Sequence, residues 1–378
     1  MHVLLHEIRK LFSWRMLLIV FLANLILYFL LIEFHITNFP NGRPSRDLYN
    51  IGVEMIDKYG TYMDEKEIED FINVYKAKVK EADAFLQSRK EFVDAHLDSY
   101  EKLRHLEFGD ERMELSNQIM FDENVDLFWK LQAREYIMEE IQTRETYLAS
   151  YLNEAKGAQK ERYQELLERG RHGLYPSEAM SNYQDFISNV AIAIIISVII
   201  IISPIFIKDR TSQMLELQYT TKKGRALFKT KVAAGVMAAI IVMTVLFAIY
   251  FSLYSLNHTS MFFNLPIYLF TWFEFWYDVT FFQYIVITVL AIYILGMVFA
   301  LFSMFFSNRM ANYVSLIGIQ IPFIIALIAV LIPYLVRRLM DLDIPKWIAP
   351  TSYTVMALSS VILVVLLWGR EKRKDIVM

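Results

Sequence analysis

Six stretches of this chain carry no Asp, Glu, Lys, Arg or His: Met16–Ile32, Phe186–Ile207, Val232–Leu256, Val279–Asn308, Met310–Val336 and Trp347–Gly369. A helix needs roughly 20 predominantly apolar residues to cross the hydrocarbon core of a bilayer. A single arginine, lysine or aspartate at mid-membrane costs about 2.5–3.5 kcal/mol on the insertion scale. Six such windows therefore exclude an ordinary water-soluble fold. They predict an all-α polytopic membrane protein with one large charged segment, 34–185, between the first and second spans.

The apolar share of 56% agrees, and the chain has no cysteine, which excludes disulfides and thiol-based metal or redox chemistry. The net charge of −3 hides an asymmetry. With the N-terminus inside, the segments 1–15, 208–231, Arg309 and 370–378 hold 15 basic residues, against Arg337, Arg338 and Lys346 on the short loops 257–278 and 337–346. Basic residues near spans stay on the cytoplasmic side, so both termini are expected inside. The 34–185 segment, with 20 basic and 31 acidic residues, is expected to be an acidic extracytoplasmic domain.

The first apolar run is longer than a signal-peptide core, and no small-residue cleavage site follows it, so it reads as a retained anchor. Before it, Leu4, Leu5, Ile8, Leu11 and Phe12 fall on one helical face, with His6, Glu7, Arg9, Lys10 and Ser13 largely on the other. That pattern predicts an amphipathic helix lying along the inner membrane surface, with Trp14 as an interfacial anchor. A generic basic N-terminus obeying the charge rule is the plainer alternative.

Within 34–185, Asp64 and Glu67 predict a helix start. Ile68, Ile72, Tyr75, Val79, Ala82 and Leu86 then repeat at heptad spacing, resuming at Val93, Leu97 and Tyr100 before Gly109-Asp110 breaks the frame. A looser seam runs through Leu131, Met138, Ile141, Leu148, Leu152 and Ala155, then Tyr163 and Leu166. Gly170, Gly173 and Pro176 end it. Two seams joined by a turn predict a coiled-coil-like antiparallel hairpin with helices of about 60 Å if straight. The hairpin either caps the membrane helices or binds a substrate or partner. The aromatic run Thr271–Asp278 reads as a belt at the lipid–water boundary.

The loop 208–231 is the most specific segment. Two amphipathic pieces, one with Met214, Leu215 and Leu217 and one with Ala226 and Leu227, flank a Thr-Thr-Lys-Lys-Gly-Arg turn before Lys229 and Lys231 mark the membrane edge. The start Leu5-His-Glu7-Ile-Arg9-Lys10-Leu-Phe and the positions Asp209, Leu215, Glu216, Leu217, Thr220, Lys222, Lys223, Gly224, Arg225 and Lys229 resemble the permease subunits of ABC-2-type transporters, the type V ABC exporters. The resemblance covers roughly 1–33 and 186–378 and is strong in the elbow and loop alone. Many members have Gly at the place of Gln213 and Pro at that of Thr221.

The resemblance implies three regions: an elbow helix (Glu7, Arg9, Lys10) and first transmembrane helix over 1–33, an inserted extracytoplasmic domain over 34–185, and helices two to six over 186–378. Residues Asp209, Met214, Leu215, Glu216, Leu217, Thr220, Lys222, Lys223, Gly224 and Arg225 would form the segment that contacts a cytoplasmic ABC ATPase. The partners implied are that ATPase, a second permease protomer, identical or sister, and the lipid bilayer, with no nucleic acid. The outer loop between the fifth and sixth spans, with Pro345 and Pro350, matches the place of short outer re-entrant helices in the family.

Chemistry by the chain itself is not expected. It has no G-x-x-x-x-G-K-[ST] motif, so ATP and its magnesium would sit on the partner, and His6-Glu7 lacks the second histidine of H-E-x-x-H. The spans hold no ionisable relay. Asn24, Asn189 and Gln320 read as hydrogen-bonding links between helices. The expectation is thus a non-enzymatic export permease of the plasma membrane. The rival is a receptor or scaffold that uses the acidic domain to bind an envelope partner.

Overall fold

The computed structural model describes residues 2–169, 173–214 and 224–373. Among them the chain is helical, with two isolated β-bridges, Tyr175 with Phe270 and Pro266 with Thr280, in place of any strand. In chain order the main helices are α1 (His2–Leu11), α2 (Trp14–Ile32), α3 (Ser45–Tyr59), α4 (Glu65–Gln87), α5 (Asp126–Glu154), α6 (Ala158–Glu168), α7 (Glu178–Thr211), α8 (Gly224–Asn257), α9 (Phe281–Arg309), α10 (Tyr313–Arg337) and α11 (Ile348–Arg373). Six of these, α2 and α7 to α11, are long and apolar enough to cross a membrane, as the charge-free windows predict. This is a multi-pass membrane protein.

Contacts divide the chain into two units. One comprises Met1–Thr37, Asn182–His258 and Gln283–Met378, and the other Asn38–Ser181 with Thr259–Phe282. In the first unit α7 is the central helix. Its isoleucine-rich run is buried almost all round, whereas α2 and α11 expose most of their apolar surface. Side chains such as Phe21, Phe29 and Leu366 therefore face outward, as lipid-facing residues do. The polar residues inside the spans pair across helices. Asn24 donates to Ser197 Oγ at 2.7 Å and accepts from Tyr250 at 2.8 Å, Asn189 donates to the Leu31 carbonyl at 2.8 Å, and Gln320 meets Ser203 at 3.0 Å. These are the links expected of them.

Span α7 is not continuous. Pro204 lacks an N–H and restarts the helix after Ser203. The N–H groups of Phe206 and Ile207 in the new first turn both donate to Ser307 Oγ of α9 at 3.1 Å, so the donors orphaned by the break are satisfied by a neighbouring span.

In the second unit the Asp64–Glu67 capping box forms as expected and starts α4. The heptad frame does not continue: α4 ends at Gln87 and the chain turns at Ser88, whose hydroxyl donates to the Phe85 carbonyl. The turn shifts the frame by one residue, so Phe92 is fully buried and Val93 is 43% exposed. Leu97 and Tyr100 are buried, but Leu97 lies in a loop and Tyr100 opens a separate short helix. The two expected long arms are thus a 23-residue and a 29-residue helix, about 35 and 44 Å long, with short helices folded around their far end.

Helices α4 and α5 do run antiparallel. Ile68 and Ile72 lie with Met138, Tyr75 and Val79 with Glu135, and the Phe85 ring meets Phe128 at 5.6 Å. Helices α3 and α6 also pack against α5.

The segment 259–282 belongs to this second unit rather than standing as a separate loop. Tyr175 and Thr271 exchange backbone bonds with Leu269 and Tyr175 at 2.8 Å, and Arg162 donates to the Phe275 carbonyl at 3.0 Å. The aromatic run is divided: Phe275 and Trp276 are buried, as is Phe270 just before it, while Trp272 and Tyr277 stay exposed.

Candidate functional site: a charged junction at the α1 end

The first turns of α8 place Phe228, Lys231, Ala234, Gly235 and Ala238 on one buried face. A lysine on that face, only 4% exposed, must find carboxylates, because an unpaired buried charge is costly. It finds two. Lys231 pairs with Asp209 at the end of α7 and lies 3.3 Å from Glu7 of α1. Lys10, one turn beyond Glu7, pairs with the other oxygen of Asp209 and stands 4.0 Å from Glu7. Lys231 Nζ also donates to the Ile205 carbonyl at 3.3 Å, next to the break at Pro204.

Two carboxylates and two ammonium groups thus make a neutral, buried quartet joining α1, α7 and α8. Its side chains are 5–19% exposed. Removing one member of such a set leaves an uncompensated charge, at about 3–5 kcal/mol.

The quartet also shows which side of α1 is packed inside the unit. The helix packs along α8 with Glu7 and Leu11 inward, and Leu5 points out at 54% exposure. Glu7 and Lys10 belong to the packed side because their charges are matched there. Arg9 faces outward and takes no part.

Further contacts gather the remaining spans at this end. Arg210 donates to the carbonyls of Asn308 and Met310, closing the α9–α10 turn. Asn308 donates to Glu371 of α11 at 3.4 Å, and Arg225 to the Lys372 carbonyl at 2.5 Å. Three rings form a column: Phe206 of α7 stacks on Phe228 of α8 at 5.1 Å, and Phe228 on Trp368 of α11 at 5.7 Å. Lys229 and Lys372 lie over the Trp368 ring at 4.9 and 5.2 Å, and Lys231 over Phe206 at 5.9 Å.

Of the residues singled out in the 208–231 loop, Asp209 is the hub of the quartet, Arg225 reaches α11, Gly224 opens α8 with φ +44°, and Met214 is 46% exposed. Leu215, Glu216, Leu217, Thr220, Lys222 and Lys223 lie outside the described residues. No family model matches this chain, and no curated protein or solved structure matches it.

The sequence pattern pointed to Lys229 where the structure uses Lys231. The missed signal is the spacing of Lys231 from Phe228, Ala234 and Ala238, which sets a cation on the small-residue face of a span. Lys229 sits off that face and needs no carboxylate.

The quartet offers no nucleophile poised beside a base. It offers mechanical connection. The quartet joins α1, α7 and α8, and Arg225 reaches α11.

Proposed function

We propose that this chain is the membrane-spanning permease subunit of an ABC exporter, paired with a second permease protomer and driven by a cytoplasmic ATPase. The observation that carries the reading is the buried quartet Glu7–Lys10–Asp209–Lys231. It joins an amphipathic N-terminal helix to both roots of the loop where the ABC-2 resemblance sets the ATPase contact. In this reading α1 is the elbow helix, the α1 end is cytoplasmic, and the second unit is extracytoplasmic. The basic excess on segments at the α1 end supports that orientation.

The mechanism is rigid-body transmission. Closure of the partner's nucleotide domains displaces the 215–223 stretch, and the quartet passes the displacement to α1, α7 and α8 as one body. The spans then move relative to the second protomer and open a path. A shift of this kind requires contacts that differ between the two states, and the loop supplies them.

The test is recovery of an ATP-binding cassette ATPase with the tagged protein after mild detergent extraction. Leu215→Asp with Leu217→Asp is expected to reduce recovery strongly without affecting membrane insertion. Burial of a leucine against a partner is worth about 1.5–3 kcal/mol. A reporter active only outside the cytoplasm is expected to work after Gly109, which lies in open space beside the exposed Phe108, and to be silent at the C-terminus. If neither wild type nor variant recovers an ATPase, the receptor or scaffold reading replaces the exporter.

A further inference from the structure

In the second unit α4 parts from α5 along its first half and from the short helix Tyr100–Arg104 along its second. Two cavities, of about 410 and 430 Å³, follow one another along a single face of α4. The first lies against Ile68, Phe71 and Ile72 of α4 and Met138 and Ile141 of α5. The second lies against Tyr75 and Val79, with Tyr100 across from them. Residues 68, 72, 75 and 79 recur at spacings of four, three and four, so they line one stripe of α4. From Glu65 to Lys80 the groove runs about 22 Å, or some four helical turns.

The polar rim changes sign along this length. The first cavity carries Glu65 and Glu69 with Gln142 and no basic residue. The second carries Lys76, Lys80, Arg104 and His105 against Glu101 and Glu135, and Arg104 is bonded to Glu135 at 2.8 Å. Glu65, Glu69, Lys76 and Lys80 have no ion-pair partner among the described residues. An apolar floor at helical spacing, four turns long and bordered by unmatched charge of opposite sign at its two ends, has the form of a groove for a helix. A single acyl chain would fill the floor and leave both charged ends unused.

We propose that this groove receives an amphipathic α-helix of a partner protein, its apolar stripe on the floor that runs along α4, its basic end at Glu65 and Glu69 and its acidic end at Lys76 and Lys80. The inference rests on the second unit by itself. It holds whether the chain is a transporter or a receptor.

The test uses the full-length protein in nanodiscs of zwitterionic lipid, with empty nanodiscs as the blank. The probe is a fluorescein-labelled designed helix of about 16 residues, with leucines at i, i+3/i+4 and i+7, lysines at one end and glutamates at the other. Saturable anisotropy is expected, weakening as salt rises. Ile72→Gln with Val79→Gln is expected to lower affinity about 10-fold or more through the floor.

Glu65→Lys with Glu69→Lys makes both ends basic and is expected to lower affinity roughly 3- to 10-fold. Adding Lys76→Glu and Lys80→Glu to that variant reverses the whole field. The same probe then docks end for end and is expected to recover to within about 3-fold of wild type. Such recovery cannot come from structural damage. The absence of saturable binding, indifference to the charge variants, failure of the four-fold variant to recover while it unfolds at the wild-type temperature, or equal displacement by an uncharged alkyl maltoside would each overturn the proposal.

Discussion

Both units of this molecule use a four-residue charge cluster to tie a connecting segment to helices, yet the two clusters are built differently. In the membrane unit, Glu7, Lys10, Asp209 and Lys231 balance two against two, with side chains 5–19% exposed. In the other unit Arg162 and Arg169 share Asp278 and Glu165, at 2.5–2.7 Å for the closest pairs, but the two carboxylates are 35% and 50% exposed. The first cluster has lost the screening of water and the second has kept much of it. A buried set resists separation because an orphaned charge cannot be resolvated, whereas a half-open set resists weakly. A junction that transmits displacement needs the first kind. A clamp that holds a loop against a bundle can be made with the second.

The comparison breaks most sharply at Asp209. Asp209→Asn removes the hub and leaves Lys10 and Lys231 facing each other with Glu7 as the remaining carboxylate. The expected loss is about 3–5 kcal/mol, read as a large fall in the detergent-solubilised unfolding temperature and in the yield of inserted protein. Lys231→Met together with Asp209→Leu removes a matched pair and is expected to be milder than either single change. If the double variant is the worst of the three, the quartet is not the compact unit described here.

The half-open clamp is expected to fail more gently and with a pH signature. Burial pushes the Asp278 carboxyl up, but Arg162 and Arg169 outweigh it and hold the group below its ordinary range. The same two guanidinium groups lower Glu165. Carboxyls held low in the folded state contribute fully at neutral pH, and the contribution is lost as the pH falls through the ordinary carboxylate range toward the lowered values. Protection of the 259–282 segment against hydrogen exchange, taken relative to the intrinsic exchange rate at each pH, should therefore hold through mild acid and fall once the pH drops below about 4. Arg162→Met should lower that protection already at neutral pH and flatten its acid dependence. An unchanged acid dependence in the variant would assign the protection to the aromatic core around Phe270 and Phe275 instead.

The spans were legible in the sequence because an uncharged run of twenty-odd residues has few other folds open to it. The capping box at Asp64 was legible because its two residues act within one turn. The end of α4 at Gln87 was not. The break depends on packing around Phe92 and Phe128, and heptad spacing continues on paper through Val93 without them.

The same limit applies to the 259–282 segment. Its place in the second unit shows only when Tyr175 and Arg162, distant in sequence, are brought to its backbone. At the charged junction, Glu7, Lys10 and Asp209 could be singled out but not joined. Their link runs through Lys231, whose importance lies in which face of α8 is buried.

The smallest expected effect lies inside the spans, where polarity is neither charged nor screened by water. Gln320 of α10 is 6% exposed and shares two contacts with Ser203, at 3.0 and 3.1 Å, at the point where α7 breaks before Pro204. Ser203 also donates to the Ile199 carbonyl at 2.6 Å, so it keeps a partner when the glutamine is gone. Interhelical hydrogen bonds of this type average about 0.6 kcal/mol in membranes. Gln320→Leu is therefore expected to shift unfolding by about that amount, far below the cost at Asp209, while leaving the six-helix unit intact. A loss as large as that of Asp209→Asn would mean that the break in α7, and not the charged quartet, is the point on which the packing of the spans depends.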